Sequence, residues 1–291
     1  VSPVEAQARL NADPDYTLTD PEQAREWLQS VIDDTTSSFN GRYFDIPEQM
    51  LTCEATLAPP GSAAAPYYTR PSEDFSRPGR TWLPVLPGES FNRWWLLSVW
   101  HHEAVPGHHL QIAYATLQHE RLSRFQRATF YSGHAEGWAL YSERLMDELG
   151  YYDDPAYELG FLSNQALRAV RVVVDIGLHL ELPIPTDVDP LLVDDVPGAD
   201  PGVVWTPDIA REFLRIRGLQ PEAFASSEVD RYLGLPGQAI CYKVGERAWL
   251  AARAAAEASA GESFDLKDWH MRALALGSVG LDLLGPELAR L

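Results

Sequence analysis

A segment that is apolar on nearly every helical face, Phe91-Asn-Arg-Trp-Trp-Leu-Leu-Ser-Val-Trp100, runs directly into His101-His-Glu-Ala-Val-Pro-Gly-His-His109. A helix that is hydrophobic all round is buried in a core. Whatever this chain folds into must therefore take four histidines and a glutamate inside with it. Burying a polar group without a partner costs roughly 2–7 kcal/mol. A lone buried histidine is ordinarily satisfied by a neighbouring group. Four within nine residues, out of eight in the chain, point instead to a metal ion, because neutral imidazole is the commonest protein ligand for transition metals. A glutamate directly after a ligand histidine is the usual general base of a zinc hydrolase.

Spacing restricts how these side chains can meet. The familiar pair of histidines at i and i+4 is absent, since Pro106 stands four residues after His102. On a straight helix His102 and His108 point about 120° apart, and His102 and His109 share a face but lie about 10 Å apart along the axis. Pro106-Gly107 is where bending costs least. A distortion there is expected, bringing His102 together with His108 or His109. The best third ligand is Glu136, within Gly133-His-Ala-Glu-Gly-Trp-Ala139, where small residues allow close approach. A solvated helix carboxylate is the alternative for it. Three protein ligands plus one open position characterise catalytic rather than structural zinc.

Elsewhere the sequence predicts a mainly α (α+β) chain. Asp20-Pro21-Glu22 starts a helix that should run to about residue 37. Residues 49–57, 67–69 and 81–83 read as short strands of a small antiparallel sheet. Helices are expected near 90–120, 123–149, 156–182, 207–217, 221–232, 236–259, 265–275 and 280–290. Residues 183–206, rich in Pro, Asp and Gly, read as a long loop of the kind that is functional or mobile. No boundary stands out, so residues 1–291 read as one domain: 1–89 a lead-in helix and sheet, 90–291 a helical core.

Against 23 Lys and Arg stand 42 Asp and Glu, a net charge of −19. Such a chain repels nucleic acid and anionic membrane surfaces. Cys53 and Cys241 lack any CxxC spacing and read as reduced and buried. No apolar run is long enough to span a bilayer. This favours a cytoplasmic protein, with a secreted protein or lipoprotein as the alternative if an N-terminal part precedes Val1. Oligomeric state is not legible.

The blocks His102-Glu-x-x-Pro-Gly-His-His-x-Gln111, Ala65-Pro-Tyr-Tyr68, Glu136-Gly-Trp-Ala-Leu-Tyr141, Arg168-Ala-Val-Arg-Val-Val-Val-Asp-x-Gly-x-His179 and Pro236-Gly-Gln-Ala-x-x-Tyr-Lys-x-Gly245 together resemble the bacterial family called domain of unknown function 885. Its members look like gluzincin metallopeptidases, often about twice this length, and the chain resembles their C-terminal half. The resemblance implies a helical zincin-like catalytic domain. It implies one zinc ion on His102, His108 and Glu136, with Glu103 as general base on the water that the zinc holds, and a peptide as substrate.

Further polar residues suit such a site. Arg168, Arg171, Asp175 and His179 form one stripe of a helix, either an internal ion-pair ladder or substrate contacts. Tyr242 and His179 are candidate donors to a transition-state oxyanion. Arg168, Arg171 and Lys243 are candidate partners for a peptide carboxylate. His109, His134 and Asp175 would support the ligands. Trp94, Trp95, Trp100 and Trp138 read as core, and His119 and His270 as surface residues. The leading function is a zinc peptidase. The alternative is a catalytically inactive or structural metal-binding helical domain, closed by His109 as a fourth ligand. A di-metal carboxylate oxidase needs Glu-x-x-His, which the chain lacks, and no Gly-x-Ser-x-Gly elbow marks a serine hydrolase.

Overall fold

The computed structural model describes residues 1–290 except Glu89; Glu89 and Leu291 lie outside the described residues. The chain opens with helix α1 (Pro3–Ala12), strand β1 (Thr17–Leu18) and helix α2 (Pro21–Phe39). Strands β2 (Cys53–Leu57), β3 (Tyr67–Thr69), β4 (Gly79–Leu83) and β5 (Phe91–Asn92) follow. The rest is helical: α3 (Arg93–Glu103), α4 (His108–Leu117), α5 (Arg124–Ala128), α6 (Ser132–Glu148), α7 (Pro155–His179), α8 (Pro190–Val193), α9 (Pro207–Arg217), α10 (Glu222–Gly234), α11 (Cys241–Ala260), α12 (Leu266–Leu274) and α13 (Leu281–Leu288).

Local chemistry explains most helix starts. Asp20, Asp154 and Thr206 each accept a backbone N–H in the first turn, and each is followed by proline, which has no N–H to waste there. Helix α1, absent from the sequence reading, begins with a reciprocal capping box between Ser2 and Glu5. The expected antiparallel pairing holds for β3 with β4; β1 with β5 forms a second antiparallel pair that is absent from the sequence reading. Strand β2 instead joins β4 in parallel, so the larger sheet is mixed, ordered β2-β4-β3 with β3 at an edge. The segment between β2 and β4 is long enough to carry β3 and return the chain in β2's direction.

Three apolar clusters build the interior. One joins α2, β2, β4 and α3 around Leu28, Leu83 and Trp100. A second joins α4, α6, α11, α12 and α13 around Trp138, Tyr141 and Trp249. The third joins α7, α9 and α10 around Val174, Phe213 and Tyr232. As expected, Trp94, Trp100 and Trp138 are core; Trp95 is half-buried. The 183–206 segment is not an open loop. Ile184 and Val203 bond backbone to backbone, and Val193, Val196, Ala199 and Trp205 fill the third cluster. Helices α6 and α11 touch backbone to backbone: a Cβ on Gly245 would stand 2.0 Å from the Gly133 carbonyl oxygen and 2.6 Å from the Cα of Gly137. No described helix is long and apolar enough to cross a membrane. Both cysteines are free, Cys53 buried and Cys241 half-buried.

His119 is exposed as expected, but His270 is fully buried. Its neighbours Asp268 and Arg272 are polar, yet α12 turns Trp269, His270, Ala273 and Leu274 inward as one stripe. Its Nε2 lies 2.6 Å from the Tyr141 hydroxyl, and its ring stacks on Phe44. Burial, with Arg253 nearby, pushes it down to about 3. The unfolded chain binds a proton near pH 6.5 that the folded chain refuses. The stability contributed by the neutral ring is thus complete above about pH 6.5 and lost progressively as pH falls toward 3, at up to about 1.4 kcal/mol per pH unit. The stability gap between the native chain and His270→Gln is therefore expected to narrow from pH 7 to pH 4.5 in denaturant melts. A gap independent of pH would contradict it.

Candidate metal centre

The buried helix α3 stops at Glu103 and α4 restarts at His108. Between them the backbone abandons regular bonding: Gly107 N donates to His101 O (3.0 Å) and His109 N to Ala104 O (3.1 Å). The Val105–Pro106 peptide bond is cis. A Cβ on Gly107 would stand 1.8 Å from the His102 carbonyl oxygen, so only glycine fits. The Pro106 carbonyl accepts from Trp138 Nε1 (2.9 Å) and Ser142 Oγ (3.3 Å), which fastens the break to α6. The distortion expected at Pro106-Gly107 is present, and it brings His102 and His108 to a ring separation of 4.8 Å.

Glu136 on α6 completes the cluster. Its Oε2 lies 3.3 Å from His102 Nε2 and 3.4 Å from His108 Nε2. Tetrahedral zinc with bonds of about 2.0–2.2 Å needs donor atoms about 3.3–3.5 Å apart. These separations fit. Glu103 also has a carboxylate oxygen within 4.8 Å of both histidine donors; Glu136 Oε2 meets the two at 3.3 and 3.4 Å. A second observation bears on the fit. His102 Nδ1 faces Glu143 Oε1 at 2.9 Å while its Nε2 faces Glu136. A neutral imidazole donates only one proton, so the second contact calls for a cation, either a proton or a metal ion. Burial disfavours the Glu136 carboxylate, but His102 and His108 outweigh it and hold it well below the usual range. Burial pushes the Glu103 carboxyl up to about 8; Glu136 and Glu143 add to the rise and His108 opposes it.

These groups line a cleft of about 580 Å³. Its walls include Tyr67 and Tyr68 of β3, Arg171 of α7, Glu228 and Arg231 of α10, and Tyr242 of α11. Tyr242 lies flat beside His102, ring centroids 6.0 Å apart, and burial pushes its hydroxyl up to about 12. A smaller cavity of about 160 Å³, lined by Trp94, Trp95 and Phe224, adjoins the cleft only through Ala64 and Pro66.

Other candidates fall elsewhere. His109 turns away: Nε2 donates to Met50 O (2.9 Å), and Nδ1 meets the Tyr68 hydroxyl (3.0 Å). It braces a cleft wall rather than closing a metal site. His134 Nδ1 faces Gln111, and its ring packs against Trp249. Arg168 does not face the cleft; its Nη2 pairs with Glu143 (3.2 Å) and its Nη1 bonds Asn164. Arg171 does reach the cleft but pairs with Glu228 (2.6 Å), not with Asp175. Asp175 accepts from Gly237 N (3.0 Å), which anchors the turn leading to Tyr242. His179 bonds the Tyr232 carbonyl and Asp175, and Lys243 pairs with Glu246 (2.9 Å). Neither lines the cleft. The stripe on α7 thus splits: only Arg171 stands where a substrate could meet it.

A family model described as bacterial protein of unknown function (DUF885) matches residues 2–288. The chain belongs to the DUF885 family. Among solved structures, a putative lipoprotein from Colwellia psychrerythraea is 32% identical, with a TM-score of 0.82 over 99% of this chain and 46% of its own. A putative lipoprotein of unknown function from Shewanella oneidensis is 20% identical, with a TM-score of 0.69 over 93% and 46%; that likeness shows the fold alone. The chain spans about half the length of these relatives. No curated protein matches it.

In this DUF885 chain the sequence reading passes over Glu143, Glu228 and Arg231. Glu143 is fully buried, holding His102 Nδ1, Arg168 and Ser98 Oγ. Its signal was present: Glu143 follows Glu136 by seven residues and so shares its helix face. Glu228 and Arg231 carried no such signal, since nothing local marks α10 as a cleft wall.

Proposed function

We propose that this DUF885 chain carries the active site of a zinc-dependent peptidase. The observation that supports this most is the convergence of Glu136 Oε2 on the Nε2 atoms of His102 and His108 at tetrahedral-edge distances, beside Glu103, which lines the same cleft with no hydrogen-bond partner among the described residues. His102, His108 and Glu136 would hold the ion. Zinc, when bound, polarises a carbonyl and acidifies the water beside it. Glu103 takes the proton of the attacking water and passes it to the nitrogen of the leaving amine. Tyr242, flat beside His102, donates its hydroxyl proton as a hydrogen bond to the oxygen that gains negative charge. Glu143 fixes the tautomer and orientation of His102.

A peptide substrate is favoured by β3. Tyr67 and Tyr68 line the cleft, and β3 is an edge strand paired on one side only. An edge strand offers backbone donors and acceptors to an extended chain. Closure of a structural site by His109 finds no support, since both its nitrogens are engaged elsewhere. For location, the lipoprotein name of the 32%-identical relative favours an exported, lipid-anchored protein over a cytoplasmic one; recovery of the native protein in the cytoplasmic fraction would overturn that.

The test is metal content together with cleavage. The purified chain is expected to bind one zinc per molecule and to cut members of an unbiased peptide library. A chelator should abolish cleavage and added zinc restore it. Failure to take up zinc after add-back to folded protein would sink the proposal, as would cleavage indifferent to chelation.

A further inference from the structure

The charged side chains on the cleft wall are three carboxylates, Glu103, Glu136 and Glu228, and two guanidiniums, Arg171 and Arg231. A divalent ion on His102, His108 and Glu136 tips that balance to a net positive charge, inside a chain of net charge −19. A locally positive cleft in an acidic protein concentrates anions. Both guanidiniums share one carboxylate. Arg171 Nη2 reaches Glu228 Oε2 at 2.6 Å, Arg231 Nη2 reaches the same oxygen at 2.9 Å, and Arg231 Nε reaches Oε1 at 3.0 Å. Arg171 spends Nε on the Tyr232 hydroxyl (2.9 Å), and its Nη1 has no protein acceptor among the described residues. Ser227 adds a hydroxyl on the same wall. The planar fork of arginine matches the two oxygens of a carboxylate.

Distance then limits where that carboxylate sits relative to the bond cut. One aromatic ring separates the two centres: Tyr242 lies 6.0 Å from the His102 ring, and the Arg171 guanidinium stands 4.7 Å over the Tyr242 ring. The carboxylate stands off the guanidinium by about 2.7–2.9 Å and the scissile oxygen off the metal by about 2 Å. An extended peptide covers about 3.3–3.6 Å per residue, so one or two residues bridge what remains of that span. Resting on the peptidase reading, we infer that Arg171 and Arg231 hold the free C-terminal carboxylate of a peptide, so that the chain removes one or two residues from the C-terminus.

The probe pair is N-acetyl-trialanine as free acid and as C-terminal amide, with N-acetyl-Ala-Ala-Asp amide as a third arm. Each is titrated into zinc-loaded Glu103→Gln protein by calorimetry. The free acid is expected to bind at least tenfold more tightly than either amide. Arg231→Gln should bring its Kd to that of the trialanine amide. Arg171→Gln should do the same, and if that variant does not fold, Arg231, whose side chain is 30% exposed, carries the test. Equal affinity for acid and amide, or no binding of either at millimolar concentration, overturns the inference. Tight binding of the Asp amide reassigns the site to an acidic side chain and overturns the C-terminal assignment. Hydrolysis separates the two readings. Equal kcat/KM for acid and amide leaves a peptidase without this specificity; acid-selective binding with no cleavage by the native chain leaves the carboxylate site without the peptidase.

Discussion

Replacing Glu103 with glutamine is expected to lower kcat/KM by about 10²–10⁴-fold while zinc stays at one ion per chain. Glu103 closes α3, directly after His102, the proposed ligand, and lines the cleft. No described residue hydrogen-bonds its carboxylate, whereas Glu136 and Glu143 are both committed to histidine. A buried carboxylate left free beside the proposed metal site is free to move a proton. Glutamine keeps the size and the acceptor oxygen but cannot take a proton. Kinetics and metal analysis on the same preparation decide the matter. Retained turnover would place the base elsewhere. Loss of zinc would make Glu103 a ligand, consistent with its oxygen lying within 4.8 Å of both histidine donors.

Glu143→Gln is expected to weaken zinc binding by about 10–100-fold, as loss of a carboxylate behind a metal-ligating histidine does. It should also cost the metal-free protein about 3–5 kcal/mol, because it strands a buried charge. Glu143 is fully buried and receives three donors: His102 Nδ1, Arg168 Nη2 and Ser98 Oγ. Burial would raise its carboxyl, yet Arg168, His102 and Ser98 outweigh that and lower it. An amide offers one acceptor oxygen and presents two unwanted protons to a site built of donors. Zinc affinity from chelator competition and stability from urea melts separate the effects. If stability falls and zinc affinity holds, Glu143 is an ion-pair anchor for Arg168 and nothing more. If Glu143→Gln does not fold, Glu143→Asp keeps the charge while moving it, and zinc affinity alone should fall.

What the sequence determined by itself was local. Asp20-Pro21 and Thr206-Pro207 name helix starts because a cap oxygen and a missing N–H act within one turn. The break at Pro106-Gly107 followed from proline chemistry and from the failure of any straight helix to join His102 to a later histidine. Glu136 stood out as a candidate ligand because it sits among small residues, two of which, Gly133 and Gly137, do meet the Gly245 backbone. Tertiary structure decided the rest. Adjacent helical residues point about 100° apart, so whether His108 or His109 faces Glu136 depends on the rotation of α4. That rotation is set by the Pro106 carbonyl bonding to Trp138 and Ser142. The partners of the arginines lie far along the chain, Glu143 for Arg168 and Glu228 for Arg171, and helical spacing carries no information about contacts between helices. The same blindness put His270 at the surface and left β2 antiparallel. Burial and strand direction are properties of the packed whole, because they depend on which faces the other helices and strands cover.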